Sequence, residues 1–230
     1  MRHGAVSYFD ESGAPARADE LSLNEEGIAQ AEAARTLLEP VQFDRVLASP
    51  LPRTIETARI VAPDAEIETW PELRELRGER LSGIPADELE QEFVQAFRGV
   101  VPNAKRFLGG ETIGELFDRV LPAVDHLLVD TAWDSLLAVL HSAVNQSILS
   151  YALTGERLFL GHFEQAPGCV NILDVGDDWP ATAIVRAVNL APLDVLHSST
   201  RLTTMEGYWE QYRPGTFPPR EPDAGTQKPS

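Results

Sequence analysis

The sequence predicts an α/β fold, a three-layer sandwich in which helices flank a mainly parallel sheet. Three observations carry this. Ser135-Leu136-Leu137-Ala138-Val139-Leu140 is a continuous apolar run rather than an alternating one, as expected of a strand buried on both faces. Phe43-Asp44-Arg45-Val46-Leu47-Ala48 reads as a second short buried strand and runs straight into a helix start at Ser49-Pro50. Strand-like and helix-like segments alternate along the chain, which is the pattern of helices packed on a parallel sheet.

The elements follow in order. Asn24 with Glu25 and Glu26 opens a helix predicted over 24–38, where Ile28, Ala31, Ala34 and Leu38 recur at helical spacing before Pro40. The strand at 43–48 and the helix after Ser49-Pro50, with Ile55, Ala58 and Ala62 on one face, form a strand-turn-helix unit. Amphipathic helices are predicted over 85–97, through Leu89, Phe93 and Phe97, and over 112–128, through Ile113, Leu116, Val120, Val124 and Leu127. His141 ends the 135–140 strand and a helix follows over 143–153, with further strands at 169–175 and 181–189. The segment 214–230 is rich in Pro, Gly and polar residues, has little to bury, and is expected to be disordered. One domain over 1–213 is expected, with residues 72–110 as an insertion over one edge of the site.

Charge narrows the function. Nineteen basic against 36 acidic residues give a net charge of −17, which disfavours nucleic acid and anionic membrane surfaces. No apolar stretch approaches the roughly 20 residues that span a bilayer. Cys169 is the only cysteine, so no intrachain disulfide forms, and a cytoplasmic location is the expectation. An acidic protein that handles an anion must build a local positive pocket, which makes individual arginines informative.

Arg2-His3-Gly4 combines a candidate nucleophilic imidazole, a guanidinium fork suited to phosphate oxygens and a residue that admits close backbone approach. Taken alone, three residues prove little. Arg53 falls in the first turn of a helix that begins where a strand ends; a cation there is unfavourable unless an anion lies between it and the helix dipole. His141 stands at the carboxyl end of a buried strand, the edge at which open α/β sheets bind ligands. The other histidines are placed differently. His126 lies within a helical run, and His162 and His197 lie in loop-like stretches.

Together these motifs carry a resemblance. Arg2-His3-Gly4, Leu21 through Ala31, Ser49-Pro50-Leu51-Pro52-Arg53 with Glu56-Thr57-Ala58, Leu73-Arg74-Glu75 with Gly78 and Gly83, Gly110-Glu111-Thr112, and Val139-Leu140-His141 occur in the order seen in the phosphoglycerate mutase-like branch of the histidine phosphatases. The chain resembles that family over about residues 2–206. The resemblance implies a phosphohistidine on His3, with Arg2, Arg53 and His141 around the phosphoryl oxygens and Glu75 as proton donor. An alternative for Glu75 is a solvated face, since Glu72, Glu75 and Glu79 interleave with Arg74, Arg77 and Arg80. No metal or other cofactor is expected, as the sequence lacks ligand spacing such as H-x-x-x-H.

The sequence departs from the family in two places. No apolar strand leads into Arg2-His3-Gly4, so either the true start lies upstream or His3 is expected on a frayed terminus beside an exposed sheet edge; if Met1 is the real start, its ammonium is near enough to join the anion pocket. After the motif, Ala5-Val6-Ser7-Tyr8-Phe9-Asp10 stands where mutases usually carry an asparagine, which favours hydrolysis of a small phosphorylated substrate. Phosphomutase activity and an anion-binding protein without turnover are the other readings. The sequence is silent on oligomeric state.

Overall fold

The computed structural model describes residues 1–8, 16–79, 84–85, 87–130, 132–198 and 201–212. The expectations for Phe9, Asp10, Arg80, Gly83 and the segment 214–230 lie outside the described residues, and residues 72–110 are described only in part. In chain order the elements are α1 (Glu25–Leu38), β1 (Arg45–Ala48), α2 (Pro52–Val61), β2 (Ile67–Thr69), α3 (Leu89–Val94), β3 (Val100–Val101), α4 (Ile113–Val129), β4 (Leu136–Val139), α5 (Ser142–Thr154), β5 (Phe159–Leu160), β6 (Val170–Asp174), β7 (Ile184–Leu190) and α6 (Thr204–Tyr212).

Local chemistry sets the helix ends. The Asn24 side chain accepts from the Gly27 amide at the start of α1, and Pro52, which has no N–H to leave unpaired, opens α2. Thr112 and Glu115 form a reciprocal capping box on α4, and α5 ends at Gly155 in the left-handed conformation.

The central sheet is parallel, in the order β2-β1-β4, with Val46 opposite both Ile67 and Leu137. Successive side chains of a strand face opposite ways. Leu47 and Leu140 therefore join Phe117, Val120 and Val144 of α4 and α5, while Val46, Ala48, Leu137 and Val139 join Ala34, Ala58 and Val61 of α1 and α2. These two cores on either side of one sheet make the three layers. Two antiparallel pairs, β3-β5 and β6-β7, complete the described strands.

Several expectations are corrected. The helix predicted over 85–97 contracts to the six residues of α3. The Phe97 carbonyl packs against Gly161, and the Gly161 amide donates to Gly99, which draws the chain out of the helix and into β3. The strand predicted over 181–189 starts only at Ile184, because turn hydrogen bonds from Thr182 to Asp178 and from Ala183 to Pro180 occupy the preceding residues. Leu136 and Ala138 are only partly buried, since β4 borders a groove.

The N-terminus is not frayed. Arg2 bridges Leu140 in parallel, the His3 amide donates to Leu140 and the Arg2 amide to Cys169. The Met1 amino group is buried and donates to the Ala138 carbonyl at 2.6 Å, so it is spent on the sheet rather than on an anion. Among the described residues no helix is long and apolar enough to cross a membrane.

Candidate active site

The site forms where the strands end. Ser49 follows β1, His141 follows β4 and caps α5, and the Met1–His3 segment lies alongside. Beyond His3 the backbone must pass close to α1. A β-carbon on Gly4 would lie 2.3 Å from the Gly27 carbonyl oxygen, and one on Gly27 would lie 2.1 Å from the Ala5 oxygen. Both contacts are impossible for any residue with a side chain, so the two glycines are needed for the crossing. The Gly4 amide donates to Thr57 Oγ1 and the Ala5 amide to Gln30 Oε1, which ties the loop to α2 and α1.

His3 is buried and hydrogen-bonded at both ring nitrogens. Its Nδ1 lies 2.7 Å from the Gly4 carbonyl oxygen, which can only accept, so the ring proton resides on Nδ1. Nε2 keeps its lone pair and accepts from Arg53 Nε at 3.2 Å. Burial, reinforced by Arg53 and Arg2, holds the imidazole pKa well below its ordinary range. At neutral pH His3 is therefore an uncharged base with its nucleophilic nitrogen facing guanidinium groups.

His141 stands edge-on to His3, with ring centroids 5.1 Å apart. Its Nε2 lies 2.8 Å from Ser49 Oγ, and burial lowers its pKa strongly as well. When the Ser49 hydroxyl donates to Nε2, Nδ1 carries the proton. That nitrogen and Arg2 Nε are buried without a hydrogen-bond partner among the described residues. Two such donors beside a neutral imidazole suit an anion's oxygens.

The Arg2 and Arg53 guanidiniums are both buried. Arg2 donates to the Gln165 carbonyl, to Thr204 Oγ1 at 2.8 Å and to the Tyr208 hydroxyl at 3.2 Å, so α6 closes over this side of the site. Arg53 Nη1 donates to the Ala18 carbonyl.

Glu75 reaches the same region from the loop after β2. One carboxylate oxygen accepts from the Leu76 amide at 2.9 Å and the other from the Ser142 amide, next to His141, at 3.0 Å. Burial raises its pKa in spite of these amides and of Arg2, Arg53 and Arg119 nearby. The neighbouring Glu72 and Glu79 are exposed, so the solvated-face reading holds for them and fails for Glu75. All five candidates, Arg2, His3, Arg53, Glu75 and His141, thus come together. The remaining histidines lie elsewhere: His126 packs beside Trp70, His162 accepts from Gly99, and His197 bonds to the Asn189 carbonyl.

The comparisons with known proteins now bear on this geometry. Residues 1–187 match the profile described as histidine phosphatase superfamily, branch 1. The chain belongs to the histidine phosphatase superfamily. An Arabidopsis thaliana protein described as "Probable 2-carboxy-D-arabinitol-1-phosphatase" is 29% identical over 179 residues, which cover 76% of this chain and 37% of that protein. The chain thus spans little more than a third of that relative's length. An adenosylcobalamin/alpha-ribazole phosphatase of Salmonella typhimurium is 27% identical, with 72% of this chain and 84% of the relative covered. Among solved structures, the alpha-ribazole phosphatase of Shigella flexneri superposes with a TM-score of 0.65 at 23% identity, over 82% of this chain and 94% of that one. This last likeness establishes the histidine phosphatase fold.

Sequence reasoning missed several contributors. Arg119 pairs with buried Glu111 at 2.7 Å and donates to the carbonyls of Glu72, Arg74 and Glu75, clamping the loop that carries Glu75. Its place on the polar side of an amphipathic helix gives no sign of this. Ser49, Thr204 and Tyr208 also contact site residues across long stretches of chain, and of these only Ser49 lay within a recognised motif.

Proposed function

We propose that this histidine phosphatase is a phosphomonoesterase that hydrolyses a small phosphorylated metabolite through a phosphohistidine on His3. The observation that carries this reading is the state of the His3 ring: proton fixed on Nδ1 by Gly4, pKa lowered by burial, and Nε2 facing Arg53. The relatives named above as phosphatases support hydrolysis.

In the first step Nε2 attacks phosphorus in line and the ester P–O bond breaks. Glu75, whose raised pKa lets it hold its proton to higher pH than an ordinary glutamate, gives that proton to the leaving alkoxide. The Gly4 carbonyl continues to accept from Nδ1–H and so stabilises the positive charge on the phosphorylated imidazole. Arg2, Arg53 and His141 hold the non-bridging oxygens, where charge concentrates in a loose transition state. In the second step the Glu75 carboxylate takes a proton from water, whose oxygen attacks phosphorus. The P–N bond breaks, its electron pair returns to Nε2, and inorganic phosphate and protonated Glu75 result.

Incubation with an aryl phosphate and with 3-phosphoglycerate tests the reading. Release of inorganic phosphate that is abolished in a folded His3→Ala variant is expected. Turnover that survives this substitution would overturn the mechanism, and isomerisation of 3-phosphoglycerate without phosphate release would make the protein a mutase.

A further inference from the structure

Glu75 is carried by a stretch of chain, residues 74–78, that belongs to no helix or strand. The backbone groups there must find partners elsewhere. They find them on two side chains that neither strand pairing nor a turn supplies. The carbonyls of Glu72, Arg74 and Glu75 accept from Arg119 of α4 at 2.6, 2.7 and 3.2 Å. The Arg77 amide donates to Glu111 Oε2 at 3.1 Å, and the Arg77 carbonyl accepts from the Glu111 amide at 2.8 Å.

A guanidinium has five N–H donors. In Arg119 all are engaged: Nε and Nη2 form a fork on the Glu111 carboxylate at 2.7 and 3.0 Å, Nη2 also reaches the Glu75 carbonyl, and Nη1 serves Glu72 and Arg74. No donor is left for a substrate oxygen, so Arg119 acts on the chain that it holds. The Arg74 carbonyl belongs to the peptide plane before the Glu75 α-carbon and the Glu75 carbonyl to the plane after it. One side chain thus fixes both planes, and with them the direction in which the Glu75 side chain leaves the backbone. The carboxylate itself has only the Leu76 and Ser142 amides to hold it. His3, Arg2 and Arg53 are held by other parts of the chain, through Gly4, Gln165, Thr204 and Ala18.

We propose that Arg119, backed by Glu111, is a positioning residue for the proton-transfer step, which it serves by aiming the Glu75 carboxyl at the leaving oxygen. The proposal rests on the reading of Glu75 as proton donor. A displacement of about 1 Å at Glu75 is enough to slow proton transfer steeply, while attack by His3 and the contacts to the phosphoryl oxygens stay as they are. Lysine, a point charge with three donors and no fork, cannot hold both peptide planes and Glu111 at once.

The test measures the single-turnover rate of leaving-group release from an alkyl phosphate and from a nitrophenyl phosphate, in the unaltered protein, Arg119→Lys, Glu75→Gln and the double variant. Arg119→Lys is expected to slow release of the alkyl alcohol by about 10–10²-fold and to leave nitrophenol release nearly unchanged. In the Glu75→Gln background it is expected to add no further loss, because a residue that acts through Glu75 has nothing left to position. Equal losses on the two substrates, no loss on the alkyl phosphate, or a loss that persists in full beside Glu75→Gln would overturn the proposal. A selective loss in Glu75→Gln without one in Arg119→Lys overturns the positioning role alone, and no selective loss in Glu75→Gln overturns the donor reading together with it. Should Arg119→Lys not fold, Glu111→Gln slackens the same clamp, since its amide NH₂ must face an N–H donor on either side, and the same substrate dependence and the same coupling to Glu75 are required of it.

Discussion

At the scale of the residue, the site divides labour through protonation. Burial favours the neutral form of both groups, lowering the pKa of His3 and raising that of Glu75, so the two shifts run in opposite senses. The pair is competent between the two transitions: His3 loses its lone pair to a proton as pH falls, and Glu75 loses its acid proton as pH rises. Glu75→Gln removes the acid without changing shape. With an alkyl phosphate, whose leaving group needs a proton, kcat should fall by about 10²–10⁴-fold and the alkaline limb of the rate profile should vanish. With a nitrophenyl phosphate the first step should be nearly spared. The burst rate of leaving-group release on both substrates, which reads the first step alone, decides this, and equal losses in that step would remove Glu75 from the role of proton donor. Much of this constellation was legible in the sequence, because Arg53 and His141 stand at a recognisable helix start and strand end and Arg2-His3-Gly4 and Glu75 fall in motifs that occur in the family's order. Ser49 as the partner of His141 and Arg119 as the clamp on the Glu75 loop were not legible, since each acts through a contact that only the folded chain creates.

At the scale of the element, the position of His3 depends on α1. Gly27 lies in the first turn of that helix, where glycine has no helical advantage. Its role is the backbone crossing with Gly4 and Ala5. Gly27→Ala must push the loop after His3 away from α1. The expected cost is about 1–3 kcal/mol of stability, typical of overpacking, together with a fall in kcat as Gly4 shifts from under His3 Nδ1. Chemical denaturation and kinetics on the same sample check it, and a variant with unchanged stability would mean that the helix slides freely. Periodicity and caps located α1, α4 and α5 to within a residue or two, but they failed for shorter elements. β2 has three residues and β3 two, too few for any pattern, and α6 declares itself only by packing Met205 and Trp209 against Leu89 and Phe93 of α3.

At the scale of the whole molecule, stability is coupled to pH through groups buried in uncharged form. The Met1 amine has a folded-state pKa of about 6 against 8.0 when unfolded, so the unfolded chain binds more protons between those values. Stability should therefore rise with pH from 6 to 8, by about 2–3 kcal/mol at most from this group alone. His3 and His141, also lowered, add a loss of stability as pH falls below about 6.5. Glu75, raised, works the other way, so the measurement is cleanest in Glu75→Gln. Urea unfolding of that variant at pH 6 and pH 8 checks the sign, and a flat profile would place the Met1 amine in water. The burial of this amine was not legible in the sequence. A chain that opens on Met1-Arg2-His3 suggests a loose end, and only the ladder to Ala138 and Leu140 shows that it is part of the sheet.

The central claim is that His3 Nε2 carries the phosphoryl group. Rapid quenching in alkali during turnover of an aryl phosphate, followed by mass spectrometry of the peptide containing His3, tests it directly. An acid-labile, alkali-stable phosphoryl adduct on His3, absent from His3→Ala, is the predicted result. Steady release of phosphate with His3 unmodified at every quench time would contradict it.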